Sequence, residues 1–167
     1  AIVSCSCSKY PLIKKIFYLK KDKLAKKSLL FLEKGEEKKA LITLLNLRLM
    51  LLIPTLVLNI IDKFYTIYGR EGLFKKYIKI MSLLSYPKDW SWYLINRRRI
   101  PSYFISLASL GLINQSGEWV VDIGCGVGHF FPAFYKKVES RNVFGVDYSF
   151  LNLYLARLFF AKKDTIL

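Results

Sequence analysis

Apolar residues recur at helical spacing through most of the first 112 residues. Between residues 9 and 32 they fall mostly at three- and four-residue steps among eight lysines, a pattern typical of an amphipathic helix. Residues 73–84 show a similar spacing. Pro101 is suited to the first turn of another helix, because its missing N–H would have no partner there. The spacing therefore predicts a mostly helical N-terminal part.

The most apolar stretch, residues 40–61, is long enough to be tested as a membrane span. Its 22 residues would cross a hydrocarbon core of roughly 30 Å. However, Arg48 lies near the middle, where a charge costs about 2.5–3.5 kcal/mol on insertion. Pro54 would break or kink a continuous helix. We therefore favour two shorter buried helices divided at Pro54 over membrane insertion.

The pattern changes near residue 119, where strand-like runs begin. Residues 119–123 form a short, β-branched apolar run of the kind expected for a buried parallel strand, and residues 142–147 repeat it. The stretch from His129 to Val138 between them is helix-like, and Ser149 is placed to cap a further helix over residues 150–162. The two halves together predict an α/β protein.

Composition and charge narrow the class of protein. The chain is 53% hydrophobic, which excludes an intrinsically disordered polypeptide. Its net charge is +15, and residues 1–100 carry +14 of it. This excess favours an anionic partner for the N-terminal part, either RNA or a lipid surface, but a merely solvated basic face explains it equally well.

An aromatic and basic stretch follows Pro87, with Trp90, Trp92 and Tyr93 preceding an arginine triplet at residues 97–99. Arginines beside aromatic rings can bind a nucleic acid, or they can stack as cation–π pairs where two parts of a protein meet. We favour the second interpretation.

The cysteines indicate a reducing compartment. Cys5, Cys7 and Cys125 are an odd number and a poor disulfide framework for this length, so we expect a cytoplasmic protein. Cys5 and Cys7 lack a second ligand pair, and His129 is the single histidine, whereas a structural zinc site needs four ligands. We therefore expect no metal site.

A glycine-rich segment follows the first predicted strand and carries the clearest chemical signal. It reads Asp122-Ile-Gly124-Cys-Gly126-Val-Gly128. The dinucleotide pattern Gly-x-Gly-x-x-Gly fails in both registers, and no Gly-Lys-Ser/Thr follows as in a phosphate-binding Walker loop. Glycine lacks a Cβ and tolerates positive φ, so a ligand can lie against bare backbone here.

This segment closely resembles the first motif of the class I S-adenosylmethionine-dependent methyltransferases. A second element supports the resemblance, since residues 145–149, Gly-Val-Asp-Tyr-Ser, are similar to the family's second motif. They place Asp147 at the tip of the second strand, 19 residues beyond Gly128. An acid at that position accepts hydrogen bonds from ribose hydroxyls in dinucleotide-binding folds.

The resemblance implies a cofactor, a set of site residues and a fold. The cofactor is S-adenosyl-L-methionine, and Asp147 would hold its ribose while Asp122 orders the loop and approaches the methionine amine. The fold implied is α/β, with a basic, mostly helical N-terminal extension over residues 1–100 and an incomplete Rossmann-like methyltransferase fold over residues 101–167. The cofactor-binding residues implied are Asp122, Gly124, Cys125, Gly126, Gly128, Asp147 and Tyr148.

The same resemblance limits what can be assigned. The family's sheet usually has seven strands, and two are predicted here, so we expect a fragment of a longer enzyme that leaves strand edges and apolar surface open. The catalytic residues and the methyl acceptor, a small molecule or RNA, are not assigned. The alternative is a non-catalytic RNA- or membrane-surface-binding protein with a degenerate cofactor fold.

Overall fold

The computed structural model describes residues 1–5, 8–45, 72, 74–79, 88–112 and 119–167. Within these residues, the chain contains both helices and two small β-sheets, so the α/β prediction is confirmed in this general form. The strands are β1 Ile2–Cys5, β2 Ser8–Ile13, β3 Ile16–Phe17, β4 Val120–Ile123 and β5 Val143–Val146. The helices are α1 Lys23–Glu33, α2 Glu37–Leu45, α3 Lys88–Asn96, α4 Pro101–Leu112, α5 Phe131–Phe134 and α6 Phe150–Phe159. Residues 74–79 are also helical, and 3₁₀ turns cover Arg97–Arg99 and Ser140–Asn142.

The predicted helix over residues 9–32 is wrong in its first half. Strands β1, β2 and β3 form an antiparallel sheet there, and the helix begins only at Lys23. Pro11 disfavours a helix interior, and the buried positions on either side of the hairpin turn alternate, with Ile13 and Ile16 fully buried. The side chain of Asp22 then caps α1 by accepting a hydrogen bond from the Ala25 N–H at 2.8 Å.

Other helix predictions are confirmed or shortened. Helix α4 begins at Pro101 as expected, and Ser149 caps α6 by accepting from the Asn152 N–H at 3.4 Å. The helix predicted from His129 to Val138 is reduced to the four residues of α5, after which the chain closes in tight turns. Most of the apolar stretch 40–61 lies outside the described residues. Among the helices that are described, none is both long and apolar enough to cross a membrane.

The second sheet has β5 at its centre. Strand β4 pairs with it in parallel, with Val120 opposite Val143 and Ile123 opposite Val146. On the other edge of β5, Ile166 forms a parallel bridge with Phe144 through hydrogen bonds to the Gly145 N–H and the Val143 carbonyl. The sheet thus has two strands, and the isolated bridge of Ile166 lies on the edge of β5 opposite β4.

One face of this sheet is covered and the other is open. Phe131, Leu167 and Cys125 lie against Gly145 on one face, where Val143 is also fully buried. The opposite face is apolar and exposed, with Ile123 84% accessible. It also carries Trp119, Val121, Phe144 and Val146. Parallel sheets are normally covered on both faces, so the expected open apolar surface is present.

Residues from both predicted domains share one hydrophobic core. Phe74, in the helical segment 74–79, makes edge-on contacts with Phe159 and Phe160. Tyr18 similarly packs edge-on against Phe150 at 5.7 Å between ring centroids. The N-terminal part is thus packed directly against the part that carries the glycine-rich segment.

The arginine triplet includes one clear cation–π residue. The Arg97 guanidinium carbon lies 5.5 Å from the Tyr93 ring centroid and 5.9 Å from that of Phe130. It also donates a hydrogen bond to the Ser102 hydroxyl at 3.1 Å. Because Phe130 belongs to the turn before α5, these contacts agree with the stacking interpretation.

Candidate cofactor site

The glycine loop, residues 124–128, connects β4 to α5. Gly124, Gly126 and Gly128 have φ of +76°, +54° and +77°, which L side chains rarely adopt. A Cβ added to Gly124 or Gly126 would meet no atom within 4 Å. At these two positions the bare backbone faces open space, so a ligand can approach it closely.

Asp147 follows β5 and ties the glycine loop to the start of α6. Its Oδ2 accepts a hydrogen bond from the Gly126 N–H at 2.9 Å. Its Oδ1 accepts from the Ser149 N–H at 2.8 Å and from the Asn152 amide at 3.1 Å. An ionised carboxylate accepts about four hydrogen bonds, so roughly one acceptor position is left for a ligand hydroxyl.

Asp122 lies on β4, half-buried, two residues before the loop begins. Its Oδ2 is buried and has no hydrogen-bond partner within the part of the chain that the structure describes. Burial, and then the negative charge of Asp147, raise the pKa of the Asp122 carboxyl above its ordinary value of 3.8. The loop backbone is therefore held by Asp147 in this structure, whereas the resemblance implied that Asp122 would order the loop.

This arrangement predicts that the ionised Asp122 carboxylate destabilises the folded protein at neutral pH. Folding raises the pKa of the Asp122 carboxyl, so the folded protein favours the neutral acid. The corresponding contribution to the free energy of unfolding is fully present below the pKa of the unfolded chain. It is lost as the pH rises through the pKa of the folded protein. We expect Asp122→Asn to stabilise the protein by about 1 kcal/mol at pH 7, since a buried unpaired charge is removed. Urea denaturation at pH 7 and at about pH 3.5 would measure this, and the gain should shrink at the lower pH.

The control for that experiment is Glu139→Gln, at an exposed carboxylate that pairs with Arg141. It should change stability by less than about 0.5 kcal/mol. A less stable Asp122→Asn variant at pH 7 would show that the carboxylate is satisfied in the folded protein.

The side chains of Cys125 and His129 are both buried. Burial raises the pKa of the Cys125 thiol far above its usual range, with Asp122 and Asp147 adding to the effect. The thiol therefore stays protonated and is a poor nucleophile. The His129 ring is buried against Phe74 and Phe160, at 5.7 and 5.0 Å between ring centroids.

A cavity of about 390 Å³ adjoins Asp147 at the carboxyl end of β5. This volume lies within the 300–1,000 Å³ typical of small-molecule sites. Tyr148, 84% exposed, is part of its lining, and the Lys20 ammonium lies 3.0 Å from the centroid of the Tyr148 ring. The remaining lining is largely apolar and comes from Phe17, Tyr18, Leu19, Phe144, Gly145, Val146, Phe150, Leu153, Ile166 and Leu167.

The structure brings most of the predicted site residues to one edge of the sheet. The glycine loop and Asp147 are hydrogen-bonded to each other, Asp122 lies beneath the loop, and Tyr148 lies at the cavity. Residues 17–20 were missed from the sequence, because nothing in their local pattern relates them to a site about 130 residues away. Among the described residues, no group of three or more His, Cys, Asp or Glu side chains is placed to hold a metal ion.

In comparisons with protein-family models, with curated proteins and with solved structures, nothing matches this chain. The functional argument therefore depends on the geometry of the site.

Proposed function

We propose that this chain binds S-adenosyl-L-methionine across the glycine loop and Asp147, as the cofactor-binding part of a methyltransferase with an incomplete Rossmann-like fold. The observation that carries the proposal is the hydrogen bond from the Gly126 N–H to Asp147. It joins the glycine loop, which follows β4, to the acidic residue Asp147, which follows the parallel strand β5. Ligands of open α/β sheets bind at the carboxyl ends of the strands, where these two elements meet.

The charges of the site suit a cationic ligand. Asp122 and Asp147 are both close to the loop, and among the described residues nothing forms a hydrogen bond with the buried Oδ2 of Asp122. S-adenosylmethionine carries an ammonium and a sulfonium group, and its ribose offers two hydroxyls. An anionic triphosphate such as ATP would instead be repelled by the two carboxylates.

Each site residue has a role in this proposal. Asp147 would accept a ribose hydroxyl at its remaining acceptor position, and Asp122 would face the ammonium group. Gly124 and Gly126 would leave room for the ligand against the backbone, and the cavity lined by Tyr148 would receive the base. When bound, the cofactor would supply a methyl group to a nucleophile, which bonds to the methyl carbon as the carbon–sulfur bond breaks and the sulfur leaves as a neutral thioether. The protein's contribution is alignment of the two reacting groups.

Isothermal titration calorimetry of the chain with S-adenosylmethionine tests the proposal. We expect saturable binding that Asp147→Ala weakens on the order of 10- to 100-fold, because a hydrogen bond to a charged acceptor contributes about 1.5–3 kcal/mol. ATP at the same concentrations should give no binding heat.

Two further variants distinguish the loss of a contact with the ligand from disordering of the glycine loop. Asp147→Asn keeps one oxygen for the Ser149 N–H and removes the charge, so it should retain the melting temperature better than Asp147→Ala while still weakening binding. Glu139→Ala, at an exposed carboxylate, should bind as the parent does. Absence of S-adenosylmethionine binding by the folded parent chain, or equal affinity in the Asp147 variants, would contradict the proposal.

A further inference from the structure

The turn between β2 and β3 has an unfavourable sequence for its backbone. Lys14 and Lys15 have φ of +52° and +61°, and they are the non-glycine residues with positive φ in the part of the chain that is described. A two-residue hairpin with both φ positive normally carries Asn-Gly, because a β-carbon is strained in this conformation. Both lysines are exposed. The chain thus keeps two charged residues at a position that disfavours them.

Arg157 brings a second pair of lysines to this turn. Its guanidinium donates hydrogen bonds to the carbonyls of Lys15 at 3.1 Å and Lys162 at 2.7 Å. Lys162 and Lys163 are exposed, like the turn lysines. Because a single guanidinium contacts both backbones, the two pairs are close together although they are about 150 residues apart in sequence. The Lys162 ammonium also lies 4.8 Å from the centroid of the Tyr135 ring. We call Lys14, Lys15, Lys162 and Lys163 the lysine patch.

The positive charge of the lysine patch is not neutralised within the described part of the chain. None of its four ammonium groups has a carboxylate within ion-pair distance there, whereas Lys9 and Lys39 do pair with glutamates. Asp164 is adjacent in sequence, and its charge acts on Arg157, so the cationic guanidinium offsets it. The patch therefore presents about four net positive charges to solvent.

We propose that the lysine patch binds the phosphodiester backbone of a nucleic acid. Residues held in strained backbone conformations often serve function, and the two turn lysines provide charge where Asn-Gly would provide stability. The surroundings disfavour a membrane surface, which requires apolar side chains that insert beside the cations. Here the flanking residues Ile13, Ile16 and Thr165 are buried. The inference does not depend on cofactor binding.

The test compares variants of the full chain for binding to a fluorescently labelled single-stranded RNA of about 12 nucleotides. Lys14→Asn/Lys15→Gly should fold more stably than the parent and yet bind the RNA about 10-fold more weakly. Loss of two phosphate contacts should reduce the slope of log affinity against log salt by about 1.4. Lys162→Gln/Lys163→Gln should weaken binding to a similar extent.

Lys26→Gln/Lys27→Gln is the matched control, because it removes the same charge from the exposed side of α1. It should weaken binding by less than about 3-fold at the same salt concentration. Unchanged affinity in both patch variants overturns the proposal, as does an equal loss in the α1 variant. Tighter binding of the parent chain to phosphatidylcholine–phosphatidylserine vesicles than to RNA, lost in the patch variants, would assign the patch to a membrane and also overturn it.

Discussion

Gly128→Ala is expected to destabilise the protein by about 3 kcal/mol, through backbone strain and a steric clash together. Gly128 has a φ of +77°, and a Cβ built there would lie 2.6 Å from Cδ2 of Phe131 and 3.3 Å from the Ala156 Cβ. Phe131 is fully buried beneath the sheet, so its ring has little room to move away. Urea denaturation followed by circular dichroism would measure the loss.

Gly126→Ala is the matched control, since it shares the positive φ of +54° but its Cβ would meet nothing within 4 Å. It should lose about 1 kcal/mol from strain alone. The proposed function adds a second expectation, because a methyl group at residue 126 would occupy the open space over the loop and weaken S-adenosylmethionine binding. Similar stability losses in the two variants would show that the contact between residue 128 and Phe131 is unimportant.

Arg157→Met is the second change with a large expected effect, a loss of about 3 kcal/mol. The guanidinium donates to the carbonyls of Lys15, Lys162 and Thr165, the last at 2.6 Å. Methionine has a similar length but no donor, so up to three carbonyls would lose their hydrogen bonds to a charged group. For a chain of this size, the expected fall in melting temperature is about 6–12 °C.

Arg141→Met is the control for charge and length, because Arg141 is exposed and pairs only with the exposed Glu139 among the described residues. It should change the free energy of unfolding by less than about 0.5 kcal/mol. Arg157→Lys should recover little, since one ammonium group cannot reproduce the geometry of a planar guanidinium. Equal effects at positions 141 and 157 would contradict the role assigned to Arg157.

The candidate site was largely predictable because its parts lie close together in the sequence. Strand β4, the glycine loop, strand β5 and Asp147 follow one another within 28 residues, and each has a local cause. β-branched residues form the strands, and glycines permit the positive φ of the loop. Parallel pairing then brings the carboxyl ends of β4 and β5 to the same edge of the sheet. The partner of the loop was not predicted, because the resemblance implied that Asp122 orders the loop, whereas in the structure the Gly126 N–H donates to Asp147.

The N-terminal hairpin was mispredicted because two periodicities compete there. Apolar residues between residues 9 and 32 fit helical steps, but a period of two buries Ile13 and Ile16, and Pro11 weakens the helix. The lysines fit the solvent side of either structure. Tertiary packing selects the hairpin, because its buried face contacts the core that also holds the C-terminal helix α6.

The sequence by itself therefore determined the elements whose backbone preferences are local: the start of α4 at Pro101, the Ser149 cap and the glycine loop. Tertiary structure decided which distant segments meet. The Phe17 N–H donates to the Leu167 carbonyl at 2.8 Å, and Arg157 links the turn at Lys15 to the end of the chain. Such contacts form only when the collapsed core brings their partners together, because the entropy of closing a loop of about 150 residues is offset by burial of many side chains at once.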